Sequence, residues 1–214
     1  QKRNSDDEKH LRVRIDFGDR KREIRFIDQR TFGWVAIDQL VHEDDELIPQ
    51  SFARIAPDIF DKKFDRTAVI SKIQKKNSAI KRVLLDQSVM SGVGNIYADE
   101  ALWQAAIHPE RISKKLSEQE ISTLLDAVSF VMSEALKQGG TSFDDLYINV
   151  NGESGYFDVE LEAYGQEDEP CSRCGTQIRR ITFGNRSSHF CPTCQPKRFA
   201  KRKVEAKKVR VKRG

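Results

Sequence analysis

All four cysteines of the chain stand in two close pairs, Cys171-x2-Cys174 and, after sixteen intervening residues, Cys191-x2-Cys194. A CxxC pair turns the backbone tightly enough to bring two thiolates to one side. Two such pairs supply the four soft ligands that suit the tetrahedral preference of zinc. Sulfur fills every position, so the pattern predicts one structural Zn2+ with no open coordination site. Two disulfides in a secreted chain are the other reading of such spacing; the polar opening QKRNSDDEKH carries no secretory apolar segment and disfavours it. His189 is a possible substitute ligand, although four cysteines already fill the shell. Between the pairs, QIRRITF (177–183) and RSSHF (186–190) flank Gly184-Asn185 and predict a β-hairpin. A module this small has no core of its own, so metal binding is expected to fold it.

Charge is divided unevenly along the 214 residues. The whole chain is +4, yet residues 198–214 hold nine Lys or Arg against one Glu, a net of +8, which leaves residues 1–197 at −4. The basic balance therefore describes a tail, expected to be disordered and drawn weakly to polyanions. No run approaches the roughly 18 apolar residues of a membrane span, and no membrane partner is expected. The first residue is Gln1, which reads as an internal start or a fragment.

Residues 11–17 (LRVRIDF) alternate, with Leu11, Val13, Ile15 and Phe17 on one face, and predict a half-buried strand. A turn at Gly18-Asp19 leads to a second strand over 22–28. FGWVAID (32–38) predicts a third, with Trp34 in the core; such a meander needs further strands to close it. From about residue 49 the pattern is helical, over 65–76, 79–86 and 94–106. Ser117 and Glu120 form a capping box ahead of a helix carrying Ile121, Leu124, Leu125, Val128, Met132 and Leu136, ended by Gly139-Gly140. Met90 and Met132 both fall in helical segments, and 141–158 reads as a long loop. Gly92 and Gly94 let the backbone approach a ligand, and N–H groups at the following helix start favour an anion, with Asn95 adding an amide donor.

The run LLDQSVMSGVGNIYADEALWQAAIHPER (84–111) resembles the helix–two-turns–helix signature of the Fpg/Nei DNA glycosylases. DQRTFG (28–33), GGTSFDDLYINVNGESGYF (139–157), EAYGQEDEPCSRCGTQI (162–178) and FGNRSSHFCPTCQ (183–195) extend the likeness in family order, from about His10 to Gln195. Within that family the chain resembles the formamidopyrimidine-DNA glycosylases. The resemblance implies an α+β chain. Residues 1–48 would be part of an antiparallel β-sandwich, 49–158 a helix–two-turns–helix domain with a lesion loop, 159–197 a zinc-ribbon hairpin, and 198–214 the tail.

It also implies roles. Gly94 and Asn95 would grip phosphates beside a damaged nucleotide. Arg30 and Phe32 would form a wedge, the ring filling the gap left by a flipped base and the arginine pairing with its widowed partner. His10, Lys76 and Lys81 would contact phosphates, Tyr164 would meet the backbone through its hydroxyl, and Arg186 would reach the phosphates at the lesion and assist elimination. The implied partner is damaged double-stranded DNA, bound by a monomer in the bacterial cytoplasm. The implied activity is removal of oxidised purines (8-oxoguanine, formamidopyrimidines) followed by abasic-site cleavage in base-excision repair. The family's N-terminal proline amine, neighbouring glutamate and hairpin lysine have no counterpart among these residues, so the chain alone is expected to be inactive. The alternatives are a non-catalytic module that binds damaged DNA, a Nei-type enzyme for oxidised pyrimidines and, last, a zinc-ribbon protein of the translation machinery.

Overall fold

The computed structural model describes residues 7, 9–18, 22–29, 31–43, 46–138 and 161–197. These fall into two compact units that divide between Ala53 and Arg54.

In the first unit the two alternating segments pair as expected. β1 (Leu11–Asp16) runs antiparallel to β2 (Glu23–Ile27), with an irregularity between Leu11 and Val13. The third expected strand does not form. Residues 32–39 form no strand and join no ladder among the described residues, and Phe32, Trp34 and Ile37 are exposed. Trp34 is thus a surface residue, 73% exposed, rather than a core one. An alternating apolar run has the propensity for a strand, but a strand also needs a neighbour to take its N–H and C=O groups. Side chains take some of them here: Asp28 Oδ2 accepts from Gly33 N, and Asp38 accepts from Gln39 N and Ser51 N. A separate hairpin, β3 (Leu40–Glu43) with β4 (Glu46–Pro49), stands where no strand is expected. The meander is therefore two two-stranded hairpins.

The second unit begins with α1 (Arg66–Lys75), capped by Asp65, whose carboxylate accepts from Ala68 N at 3.0 Å. The short α2 (Ile80–Leu84) and α3 (Asn95–Gln104) follow. α4 (Glu118–Lys137) opens on the complete Ser117/Glu120 capping box and ends with Gln138 as its C-cap; Gly139-Gly140 and the loop beyond lie outside the described residues. Ile121, Leu124, Leu125 and Val128 are fully buried against α1, α2 and α3, whereas Leu136, expected on the same stripe, is exposed at the helix end.

The two-turn connection from α2 to α3 is held by side chains. Gln87 Oε1 accepts from Gly92 N, and its Nε2 donates to Val93 O and Leu85 O. Gly92 has φ +83°, which favours glycine, and a Cβ there would lie 3.1 Å from the flexible Met132 Cε. Met90 sits in this connection, not in a helix, and is buried.

Between the two cysteine pairs stand β5 (Arg179–Phe183) and β6 (Arg186–Phe190), an antiparallel hairpin with a two-residue turn. Gly184 takes φ +62° and Asn185 does not take a positive φ, the signature of a type II′ turn.

Candidate zinc centre and nucleic-acid interface

The four cysteine sulfurs converge. All lie within 4.8 Å of one another. Cys171 Sγ is 4.0 Å from Cys194 Sγ, and Cys174 Sγ is 3.5 Å from Cys191 Sγ. A ZnS4 tetrahedron with Zn–S of about 2.3 Å has edges of about 3.8 Å, so the donors fit one zinc ion. Each knuckle is tightened by its own backbone: Gly175 N donates to Cys171 O and Gln195 N to Cys191 O. His189 is not a donor here. Its Nδ1 is 3.5 Å from Asp99 Oδ2 and its ring packs edge-on against Tyr164.

The finger has almost no apolar interior and is fastened to α3 by polar side chains. Glu100, 4% exposed, accepts the three successive N–H groups of Glu162, Ala163 and Tyr164 at 2.7–3.0 Å. Burial pushes its pKa up, and those three donors oppose the shift. Asp99, one residue earlier, accepts from Ser188 Oγ at 2.8 Å and His189 N at 3.0 Å. Gln195, fully buried, accepts from Cys191 N and donates to Ile107 O.

Lys81 belongs to this joint. It is fully buried, with Nζ 2.7 Å from Asp99 Oδ1 and donating to Ser187 O at 2.8 Å. Burial lowers its pKa and the Asp99 carboxylate works against that. Lys81 thus has no exposed surface here; it faces the finger hairpin and holds the strand that carries Arg186. A lysine in a basic, amphipathic segment reads as a solvated charge, and only its placement opposite Asp99 shows otherwise.

Between α3 and the hairpin lies an open groove of about 780 Å3, lined by Asn95, Tyr164, Arg180, Gly184, Arg186 and Ser187 among others. Asn95 is the first residue of α3. Its Oδ1 is buried without a hydrogen-bond partner, and the helix start has no side-chain cap. Its preceding residue, Gly94, has ordinary extended backbone, and a Cβ there would meet open space. Glycine at this point is not demanded by protein packing, which leaves the bare backbone open to close approach from outside. Arg186 is exposed on the opposite wall. An uncapped helix start facing a guanidinium suits an anion.

The remaining expected contacts are spread out. Lys76 is half-exposed and pairs with Asp86 at 2.8 Å; that bond, with Ser88, holds the Asp86 carboxyl down at about 2. In the first unit, Phe32 is 79% exposed on a loop closed by Asp28, and the His10 carbonyl accepts from Asp28 N. Arg30 lies outside the described residues. The residues that sequence reasoning missed are Asp99, Glu100, Arg173 and Gln195. Two adjacent acids inside the apolar helix ADEALW were the available signal for the first two.

Residues 55–146 match the formamidopyrimidine-DNA glycosylase H2TH domain, and residues 168–197 match the zinc finger found in FPG and IleRS. The chain is 58% identical over 188 residues to a formamidopyrimidine-DNA glycosylase of Rhodococcus opacus, covering 88% of this chain and 65% of that protein. It thus spans somewhat less than two thirds of that relative's length. The MutM (Fpg) protein of Thermus thermophilus superposes with a TM-score of 0.73 at 31% identity, over 89% of this chain and 70% of that one. A Lactococcus lactis FPG mutant in complex with Fapy-dG containing DNA gives a TM-score of 0.73 at 32% identity, over 91% and 69%.

Proposed function

The chain belongs to the formamidopyrimidine-DNA glycosylase family, and we propose that it grips damaged duplex DNA in the groove between α3 and the finger hairpin. In this reading it is the DNA-binding part of a base-excision repair glycosylase and abasic-site lyase for oxidised purines. The observation that carries the reading is the uncapped start of α3 at Asn95, lining the same groove as exposed Arg186. A phosphate seated there would take N–H donors from the first turn of α3 and a charged fork from Arg186. Gly94 lets the strand come close, and the Tyr164 hydroxyl meets the backbone from the same wall. Lys76 and His10 add phosphate contacts. Phe32 enters the stack vacated by the flipped nucleotide, and Arg30 pairs with the base left behind.

The chemistry proposed for the complete protein runs through an N-terminal proline amine. Its nitrogen attacks the sugar C1′, the damaged base leaves with the bonding pair and takes up a proton, and cleavage of the C1′–O4′ bond then leaves a Schiff base. Arg186 then assists elimination at the flanking phosphate. The protein acts as a monomer in the bacterial cytoplasm. The lesion class separates this reading from a Nei-type enzyme, and covalent trapping separates it from a module that only binds.

The test uses borohydride trapping and equilibrium binding together. The 214-residue chain is expected to bind an abasic-site duplex more tightly than an undamaged one, and to give no trapped adduct on 8-oxoguanine or abasic-site duplexes. A version supplied with the family's N-terminal region is expected to give the adduct and to prefer 8-oxoguanine over oxidised pyrimidines. A trapped adduct from the 214-residue chain would mean that a lysine or the Gln1 amine serves as nucleophile, against the proline assignment.

A further inference from the structure

Trp103 sits where α3 meets the cysteines. It is 6% exposed and packs with Cys171, Cys191, Ala163 and Ile178, with Cys194 at the margin. Its indole Nε1 is buried with no hydrogen-bond partner. A buried N–H left without an acceptor is costly. Of the side chains packed with it in that cluster, those able to accept are the cysteine sulfurs, Cys171 among them.

A second observation bears on the same ring. Arg173, between the first two cysteines, lays its guanidinium over the indole at 3.6 Å from the ring centroid. It is fixed there by donating to Trp103 O at 2.8 Å and to Gln104 O and Oε1. A cation over the face withdraws electron density from the ring and strengthens the edge N–H as a donor. It also stands beside a centre that carries two net negative charges when four thiolates hold one Zn2+.

We propose that Trp103 is a positioning residue of the zinc centre, its indole N–H donating to the Cys171 thiolate while Arg173 polarises the ring. The helix that starts at the DNA groove with Asn95 thereby ends on a zinc ligand, so metal loading and the seating of α3 against the finger are coupled. Groups that hold metal ligands in place are worth 10–100-fold in metal affinity.

Trp103→Phe keeps the ring, the apolar contact and most of the stacking, and removes the N–H. In the 214-residue chain, chelator competition is expected to show zinc bound on the order of 10-fold more weakly. The Co2+-substituted variant is expected to move its sulfur-to-metal absorption to longer wavelength, because a thiolate that loses a hydrogen bond is a better electron donor. A folded variant with zinc affinity within twofold of the parent and an unmoved Co2+ band would overturn the proposal. A second measurement does not depend on that variant folding. In 113Cd-loaded Trp34→Phe protein the one remaining indole proton should show coupling to the metal through the N–H···S bond. Absence of that coupling overturns the proposal whatever the affinities.

Discussion

Cys191→Ser is expected to reduce bound zinc from one equivalent to none and to abolish preferential binding of damaged duplex. The thiolate cannot be replaced from within the site, because the only described cluster able to hold a metal is the four cysteines themselves. Zinc contributes roughly 10–16 kcal/mol to small modules that fold around it, far more than the finger's few buried apolar groups supply. The loss should nevertheless be local. The core of α1, α2, α3 and α4 forms its own cluster of buried residues, separate from the one that includes Cys171 and Cys191. Far-ultraviolet circular dichroism should therefore keep most of the helical signal, while the emission of Trp103, packed against the cysteines, should shift to the red. Full retention of lesion binding by zinc-free protein would remove the finger from the interface; complete loss of helix would show that the helical core depends on the metal.

Asp99→Ala is expected to destabilise the zinc-loaded chain by about 3–5 kcal/mol, the scale of stranding a buried charge. It leaves Lys81, fully buried, without its carboxylate, and leaves Ser188 Oγ and His189 N without an acceptor. Lys81→Met removes a charge of similar bulk but leaves Asp99 its two other donors, so its cost should be smaller. The pair Lys81→Met with Asp99→Ala should recover part of the loss, because no charge is then stranded. Urea midpoints for the two single and the double variants give this cycle. Equal and additive losses would show that the two side chains act independently, contrary to the 2.7 Å contact.

Much of this was legible in the residues. The CxxC spacing predicts the metal site, the Ser117/Glu120 pair predicts where α4 begins, and Gly184-Asn185 predicts the hairpin turn, because each is a local rule that few neighbours can override. The likeness of residues 84–111 to a known signature places the groove that Asn95 and Arg186 line. The third strand was misread for the opposite reason. FGWVAID has strand propensity, but pairing depends on a partner segment, and the short hairpin at 40–49 is masked by the acidic run between its strands. Lys81 and Asp99 are eighteen residues apart on different helices, and no local pattern announces that they meet in the interior. Polar joints of this kind are tertiary facts, and here they connect the metal site to the proposed DNA-binding wall.

Binding of an abasic-site duplex across a salt titration, for Asn95→Ala, Arg186→Ala and a chain lacking residues 198–214, tests the proposed interface most directly. Each variant is first checked for one equivalent of zinc and for native circular dichroism. The two point variants are expected to lose about 1–3 kcal/mol on the damaged duplex, the scale of a hydrogen bond to a charged group, and with it most of the preference over undamaged DNA. The shortened chain is expected to keep the preference and to show a flatter dependence on salt for both duplexes, since fewer counterions are released. A folded, zinc-loaded tail deletion that loses its preference, beside point variants that keep theirs, would contradict the assignment of lesion recognition to the groove of Asn95 and Arg186.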